Sequence, residues 1–502
     1  MTNLLKSLLL ALPCIAGTGV HAETAAPKPN IIYILADDLG YGDVQALNPE
    51  HGKIATPKMD QLAADGMVFT DAHSNSSVCT PTRYGVLTGR YNWRTVKQSG
   101  VLFGFDQPLI KPDRLTVPGF LKQQGYKTAM IGKWHLGLGL QTPAGKPTKG
   151  QKAQVDGVDW DARISGGPVD LGFDYWHGTA ASLDMPPYIW IENDRFIGEC
   201  TTTKAFHRMG PAHADFEAID VLPEIGKKSA EYIGKQKTEE PFFMYIALTS
   251  PHAPIIPTEE WQGKSELGVY GDFVMNTDAV VGQIMDAVDA AGLSENTMII
   301  VTSDNGCSKV ADIPALKEQG HWPNAHFRGS KSDLWDGGHR VPFIVRWPAG
   351  IKAGSSSDQL ICLTDLMATS AELAGATLPE TAGEDSVSFA PALKGEAIES
   401  TRKGVVHHSV GGQFAYREGK WKLLLAKGSG GWTKEPMQDD SPAQLYDMEA
   451  DPGETSNLYK THPEVFARLL AQLESDVKRG RSTAGPNLSN DTRVNVGRGF
   501  KK

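Results

Sequence analysis

Two apolar runs in this chain close on paired oxygen-bearing side chains. "NIIYILADD" (Asn30 to Asp38) is short and β-rich and ends at Asp37 and Asp38; "NTMIIVTSDNG" ends at Asp304 and Asn305. Adjacent carboxylates repel unless a cation or protons neutralise them. Either pair alone reads as a solvated turn. Together they offer an all-oxygen ligand set, which suits a hard cation, Ca²⁺ or Mg²⁺, rather than zinc. Cys307 follows closely, but no histidine stands at metal-ligand spacing from it. Cationic groups collect at comparable places: Lys133 and His135 in "GKWHLG", His252 in "SPHAP", Lys331 in "RGSK", His339 and Arg340 in "GGHR". Lys133 and His135 alternate at one strand end, which would point both side chains the same way. Singly, each is a surface charge or a structural histidine. Grouped beside strand ends and glycine-rich turns, they describe a positive pocket next to a bound cation, fit for a small tetrahedral oxyanion.

The third chemical feature is a cysteine in "SVCTPTRYGVLTGR" (Ser77 to Arg90). Pro81 suits a first helical turn, since its missing N–H costs nothing there. The spacing predicts a helix through Leu87 that stops near Gly89, with Cys79 at its N-terminus. Free N–H groups and the helix dipole favour negative charge at that end and would lower a thiol pKa. Cys79 could equally be a buried small residue, or a thiolate nucleophile of the cysteine-hydrolase type. Against the last, no Asn or Asp orienter is evident and the metal-type carboxylates would be idle.

The elements that must carry these residues alternate. "LTVPGFLKQQGYKTAMIGKWHLG" reads as a helix, a break at Gly125, then a strand. "PFFMYIALTSPHAP" is a buried-type strand ending at His252. "YGDFVMNTDAVVGQIMDAVDAAGL" places Val274, Val281, Ile284 and Val288 at helical spacing, and "HRVPFIVRWP" is a further strand. Strands alternating with helices predict an α/β sheet with a largely parallel core, whose sites lie outside the carboxyl ends of strands. After about Ser386 the pattern changes. "GQFAYREGKWKLLLAKG" alternates as a strand pair with a turn near Glu418–Gly419, "AQLYDMEADPGETSNL" closes that sheet, and "HPEVFARLLAQLESDVKRG" places Val465, Leu469 and Leu473 on one helix face. The expected division is a signal peptide at 1–22, a catalytic domain at 23–385 and a small antiparallel-sheet subdomain at 386–502.

The chain's 502 residues carry a net charge of −10, with 40% hydrophobic and 22% charged residues. That balance argues against a general nucleic-acid or anionic-membrane binder, so an anionic substrate would need a local positive pocket. At the N-terminus Lys6 precedes an apolar run, Leu8 to Ala16, too short to span a bilayer, and Val20-His21-Ala22 offers small residues at a cleavage site. This predicts a cleaved export signal, a periplasmic or secreted protein and no stable membrane anchor. A lipoprotein anchor on Cys14 is opposed by Pro13 and Leu12. Beyond the signal remain Cys79, Cys200, Cys307 and Cys362, without a C-x-x-C pair or a disulfide framework; one disulfide is compatible with them.

"C-T-P-T-R-Y-G-V-L-T-G-R" resembles the signature of the type I, formylglycine-dependent sulfatases: Cys or Ser, Pro two residues on, Arg four residues on, and a Thr-Gly-Arg ending. "ILADDLGYGD", "GYKTAMIGKWHLG", "TSPHAP", "SDNG", "GGHRVPF" and "LYDMEADPGETSNL" extend the resemblance from Asn30 to about Leu458. It implies an alkaline-phosphatase-like α/β fold with a small C-terminal subdomain. It also implies that a maturation enzyme reading Cys79, Pro81 and Arg83 oxidises Cys79 to formylglycine. The hydrated aldehyde would attack sulfur through one hydroxyl, and the other would lose its proton as sulfate leaves. Carried over by position, Asp37, Asp38, Asp304 and Asn305, with the modified Cys79, would bind the metal, Ca²⁺ ahead of Mg²⁺. Arg83 and Lys133 would hold the gem-diol, His135 would take its second proton, Lys331 would contact the sulfate, and His252 would protonate the leaving oxygen. "ASLDMPPYIWIENDRFIG" and "GHWPNAHFRGSKSDLWDGGHR" resemble the N-acetylgalactosamine-6-sulfatase and arylsulfatase A-type subfamilies. Asp184, Arg208, His213, His321 and His339 are the candidate contacts to a sulfated carbohydrate of galactose type, or else residues that shape their loops. Trp134, Trp190, Trp322 and Trp335 are candidates to stack on a sugar or to fill the core. A phosphatase, phosphodiesterase or phosphonate hydrolase of the same superfamily and a non-catalytic sulfoglycan binder are the competing readings. The full Cys79 to Arg90 signature favours the sulfatase.

Overall fold

The computed structural model describes residues 27–436 and 439–500. The expected export signal, residues 1–22 with Cys14, lies outside the described residues. Strand β1 (Asn30–Asp37) is at the middle of a ten-stranded sheet. It pairs in parallel with β4 (Phe242–Pro251) on one side and β5 (Thr297–Ser303) on the other. Beyond β4, also in parallel, come β2 (Lys127–Lys133) and β3 (Tyr175–Thr179). The expected "HRVPFIVRWP" strand is β6 (Phe343–Arg346), which runs antiparallel to β5. Short strands at 67–69, 355–357, 191–192 and 195–196 complete the two edges. The sheet is therefore mixed at its margins and parallel at its centre.

Both faces of that centre are covered, which is why β1 reads as a continuous apolar run rather than an alternation. Ile31, Tyr33 and Leu35 join one core cluster; Ile32, Ile34 and Ala36 join the other. Helix α1 (Cys79–Thr88) packs Tyr84, Val86 and Leu87 into the first. Helices α2 (Val221–Ile233) and α3 (Gly268–Ala290) pack into the second, α3 through Val274, Val281, Ile284 and Val288, the residues picked out by their spacing. In "GYKTAMIGKWHLG", Gly132 is required where β2 meets β4: its φ is +103°, and a Cβ there would lie 2.0 Å from the Ala247 carbonyl oxygen.

Near the C-terminus, β7 (Val405–His408), β8 (Phe414–Glu418), β9 (Trp421–Leu424) and β10 (Gln444–Asp447) form an antiparallel sheet in sequence order. The β8–β9 turn closes through Gly419 at φ 54°, where the sequence placed it. Helix α4 (Pro463–Arg479) buries Leu469 and Leu473 against this sheet and ends at Gly480, φ 69°. Cys79, Cys200, Cys307 and Cys362 are all free thiols, so none of these four pairs with another. Among the described residues no helix is long and apolar enough to cross a membrane.

Candidate active site

The polar groups expected at strand ends do converge. Asp37 ends β1 and Asp38 follows it in the left-handed region, φ 67°. Asp304 and Asn305 follow β5 next door, and the Asp38 N–H donates to Asp304 Oδ1 at 3.2 Å. A non-glycine residue in that conformation costs on the order of 1–3 kcal/mol and is held only by its surroundings. Here the strain turns the Asp38 carboxylate toward its neighbours: it accepts from Lys331 Nζ at 2.6 and 2.8 Å and from the Asn305 side-chain amide at 2.7 Å.

Each buried carboxylate has a cation. Lys133 Nζ donates to Asp37 Oδ2 at 2.6 Å, with both side chains fully buried. Arg83, on α1 and likewise fully buried, donates from Nε (3.0 Å) and Nη2 (2.7 Å) to Asp304 Oδ2, and Nη2 is 3.6 Å from Asp37 Oδ1. Burial alone would raise the Asp37 pKa, but Lys133, His252, Arg83 and Lys331 together hold it well below the ordinary carboxylate range. Asp304 goes the other way, raised by burial and by the charge of Asp37 despite Arg83. Burial opposes the charge on Lys331, yet Asp38 and its neighbours raise its pKa, so it stays an ammonium.

Helix α1 begins at Cys79 and is stopped by Gly89, as the proline and glycine positions predict. The thiol lies 3.6 Å from both Asp37 Oδ1 and Lys331 Nζ. The expected lowering of its pKa is overturned. Burial pushes the Cys79 thiol up, and Asp304 and Asp37 add to that, against Lys133 and Lys331. Desolvation outweighs the helix end, so the side chain is a poor thiolate nucleophile as it stands.

His135 lies beyond the end of β2, in the left-handed region at φ 59°, so strand alternation does not relate it to Lys133 as the sequence suggested. Its Nε2 is 2.7 Å from the Leu102 carbonyl oxygen, while Nδ1 is buried without a partner. Burial, then Lys133 and Arg83, hold His135 far below its ordinary pKa, in the neutral form. His252 follows β4. A carbonyl can only accept, so the 2.6 Å contact to Ala253 O puts the proton on Nδ1 and leaves Nε2 facing Asp38 Oδ2 at 3.7 Å.

Three carboxylates (Asp37, Asp38, Asp304) thus face three permanent cations (Arg83, Lys133, Lys331). Asn305 Oδ1 is buried with no partner, and Asp37, Asp38, Cys79 and His252 bring ligand atoms within 4.8 Å of one another. An orphaned amide oxygen beside carboxylate oxygens is what a hard cation would satisfy, so the residues fit the expected metal.

Above this floor opens a pocket of about 410 Å³, into which Cys79, His135, His252 and Lys331 project. Asp184 and Arg208 line it as an ion pair, and Asp184 Oδ1 is buried without a partner. The other three candidate sugar contacts do not line it. His321 is fully buried and donates to Asp43 Oδ1 at 2.9 Å. His339 is fully buried, stacked 3.8 Å from His407. His213 accepts from the Asp215 N–H outside the pocket. The four candidate tryptophans are absent from the lining as well: Trp134 and Trp335 are core, Trp190 stacks on His177 and Trp322 on His51.

Sequence reasoning missed Lys97, Phe103 and Trp432 on the pocket wall. Trp432 comes from a loop of the C-terminal subdomain. Its N–H donates to Ser332 Oγ at 2.9 Å, and the Ser332 N–H in turn donates to the Ser77 carbonyl at 2.7 Å. The subdomain is thereby tied to the Lys331 loop and to the segment that enters α1. No periodicity marks such a residue; only the glycine-rich setting "GSGGWTK" sets it apart.

A hydrolase built on a mixed, centrally parallel α/β sheet, with an oxygen-lined cradle that fits a cation under a positive pocket, is the class that this fold and geometry define. The comparisons make it specific. Residues 29–376 match the sulfatase family model, and residues 329–482 match the model described as N-sulphoglucosamine sulphohydrolase, C-terminal. The chain is 34% identical to an N-acetylgalactosamine-6-O-sulfatase of Bacteroides thetaiotaomicron, over 89% of this chain and 93% of the relative. It is 32% identical to arylsulfatase A of Homo sapiens, over 95% and 93%. A solved structure from work on the metabolism of multiple glycosaminoglycans by Bacteroides thetaiotaomicron superposes with a TM-score of 0.79 at 32% identity, covering 89% of this chain and 99% of that one. The chain belongs to the sulfatase family and is a sulfuric ester hydrolase with its alkaline-phosphatase-like fold, and the family uses a metal ion and formylglycine.

Proposed function

We propose that this sulfatase removes a sulfate ester from a galactose-type sugar, of the N-acetylgalactosamine 6-sulfate kind, in a sulfated polysaccharide or its oligosaccharides. The observation that carries the reading is the position of Cys79 at the pocket floor, with Lys331 Nζ 3.6 Å from its Sγ and His252 beside it. The similarity to the N-acetylgalactosamine-6-O-sulfatase supports the sugar.

Asp37, Asp38, Asp304 and Asn305, with residue 79, hold a divalent cation, Ca²⁺ by preference for an all-oxygen set. When present, that ion and the formylglycine made from Cys79 by a maturation enzyme supply a polarised aldehyde-hydrate oxygen as nucleophile. The chain's own residues do the rest. Lys331 meets the sulfate oxygens and offsets charge as it develops on the sulfuryl group. His252, its ring fixed by Nδ1–H to Ala253 O, acts from its imidazolium form and donates the second proton, on Nε2, to the departing sugar oxygen. His135, neutral and with Nδ1 unpartnered, accepts the proton released at residue 79. Lys133 and Arg83 keep Asp37 and Asp304 in place and meet the polar groups of the modified residue. Asp184 Oδ1 and Arg208 accept and donate to ring hydroxyls. An export signal at 1–22 and a periplasmic location agree with a substrate of this size.

The test is sulfate release from a panel of defined sulfated monosaccharides, with mass spectrometry of the Cys79 peptide from protein made in the native host. That peptide is expected about 18 Da lighter than the cysteine form, the change from thiol to aldehyde. Full activity with an unmodified cysteine would overturn the mechanism; release from glucosamine but not galactosamine sulfates would overturn the sugar.

A further inference from the structure

The pocket wall carries three basic side chains, and two of them are already matched. Lys331 is held by Asp38, and Arg208 by Asp184. Lys97 is the third. Its backbone is fixed, N–H to Thr95 Oγ1 at 3.0 Å and carbonyl to the Asn92 amide, but its ammonium makes no ion pair or hydrogen bond among the described residues. The one carboxylate whose charge it feels, Asp106, is engaged by the Phe103 N–H at 2.7 Å. Lys97 is half-buried, so its charge is partly stripped of water with no ion pair to offset it, an arrangement that favours an incoming anion.

Trp432 lines the same pocket and is 41% exposed, one of few large apolar side chains so placed among the described residues, with Lys309 Nζ 5.3 Å from its ring centre. Both are held to the same scaffold: the Gly100 N–H, three residues beyond Lys97, donates to the Val410 carbonyl at 2.8 Å, and the Val410 N–H donates to the Ser332 carbonyl at 3.2 Å. A cation without an ion-pair partner and a partly exposed aromatic ring on the wall of one pocket are the chemistry that takes a pyranose by its face and an acidic group by its charge.

We infer that Lys97 and Trp432 form a second subsite, which binds the neighbouring sugar of an oligosaccharide and selects one that bears an anionic group, a uronate carboxylate or a second sulfate. This rests on the proposed sugar sulfatase reading and narrows its substrate class from sulfated monosaccharides to acidic oligosaccharides. Lys97 is the specificity determinant, and Trp432 supplies the stacking surface for any sugar in that place.

The test measures Kd calorimetrically on the Cys79→Ala protein, which cannot turn ligand over. Three disaccharides are used, each with N-acetylgalactosamine 6-sulfate joined to a neutral hexose, a hexuronate or a sulfated hexose. Binding of the two acidic disaccharides is expected to be at least about tenfold tighter than that of the neutral one, the size of a charge-assisted hydrogen bond. Adding Lys97→Met should abolish the difference, and Lys97→Arg should keep most of it. Trp432→Ala should weaken all three alike and leave the ratio intact. Preference for only one acidic disaccharide assigns the carboxylate or the sulfate as the group read. An acidic-to-neutral ratio near one before substitution, or one unchanged by Lys97→Met, overturns the inference. Sulfate release by the unsubstituted enzyme is scored separately, so failure of the sulfatase-on-sugar reading shows there and not in the Kd ratio.

Discussion

Removing Arg83 is the sharpest perturbation of the charge balance under the pocket. Its guanidinium is fully buried and gives two charge-assisted hydrogen bonds to Asp304, a third, longer bond to the Lys133 carbonyl, and a 3.6 Å approach to Asp37. Arg83→Met keeps much of the stem but leaves Asp37, Asp38 and Asp304 facing only Lys133 and Lys331, one buried negative charge in excess. Breaking a buried pair from one side costs about 3–5 kcal/mol, chiefly the penalty of the stranded partner. Asp304→Asn in the same protein removes that excess. The double variant is therefore expected to be at least about 2 kcal/mol more stable than the sum of the single effects predicts. Urea unfolding followed by tryptophan fluorescence, in EDTA so that no cation substitutes for the guanidinium, reads both quantities from midpoints and slopes. An Arg83→Met protein within about 1 kcal/mol of the parent, or strictly additive single effects, would refute the claim that this cluster is held by charge matching.

The remaining predictions are more local. His252→Asn should lower kcat/KM on a sugar sulfate by roughly 10²–10⁴-fold, as expected for loss of a general acid. On 4-nitrophenyl sulfate, whose leaving group needs no proton, the loss should be under about tenfold; equal losses on both would remove the proton-donor role. After EDTA treatment, Ca²⁺ at about one hundred times its Kd should stabilise the protein by about 2.7 kcal/mol, a rise in melting temperature of about 3 °C for a chain of this length. Asn305→Ala should shift that response to higher Ca²⁺, and Mg²⁺ acting at lower concentration than Ca²⁺ would contradict the proposed ion. His408 has its pKa lowered to about 3, by burial first and then by the charge of Arg498. It is neutral in the fold, while its unfolded form protonates below about 6.5, so its contribution is full above that pH and is lost as pH falls, by about 1.4 kcal/mol per unit. Going from pH 7.5 to pH 5 should narrow the stability gap between the parent and His408→Gln by about 2 kcal/mol. A gap that stays constant or widens contradicts a neutral buried His408.

The parts of the site that were legible in the sequence lie where local rules act alone. Pro81 and Gly89 bracket α1 because proline and a left-handed glycine are used at those ends. Asp37 and Asp304 mark strand ends because an apolar run buried on both faces must stop where polar groups reach the sheet edge. What failed did so where tertiary surroundings decide. The Cys79 thiol sits at a helix start, and that local argument lowers its pKa, yet full burial beside carboxylates reverses the sign. His135 obeys the alternation rule only if the strand continues, and it does not: β2 ends at Lys133, and a left-handed turn aims the histidine at the Leu102 carbonyl instead. His321 and His339 stand in motifs as persuasive as those of Lys331, but each is consumed by a buried contact, with Asp43 and with His407 respectively.

The reversal at Cys79 bears on the chemistry directly. A free thiol whose ionisation is suppressed by burial would be inert as a nucleophile, and a metal-type cradle beneath it would have no purpose in thiol catalysis. On the proposed function, with an aldehyde carbon in place of the sulfur, the same surroundings acquire a use: Lys331 and Asp37, each 3.6 Å from Sγ, would be a donor and an acceptor for its hydrate, and His135 would offer an unpartnered nitrogen. The three carboxylates are already neutralised by three cations before any ion enters. On the proposed function, a divalent cation held there would make the site net positive, and this surplus, rather than any one lysine, would draw a sulfate ester out of water into an otherwise acidic protein.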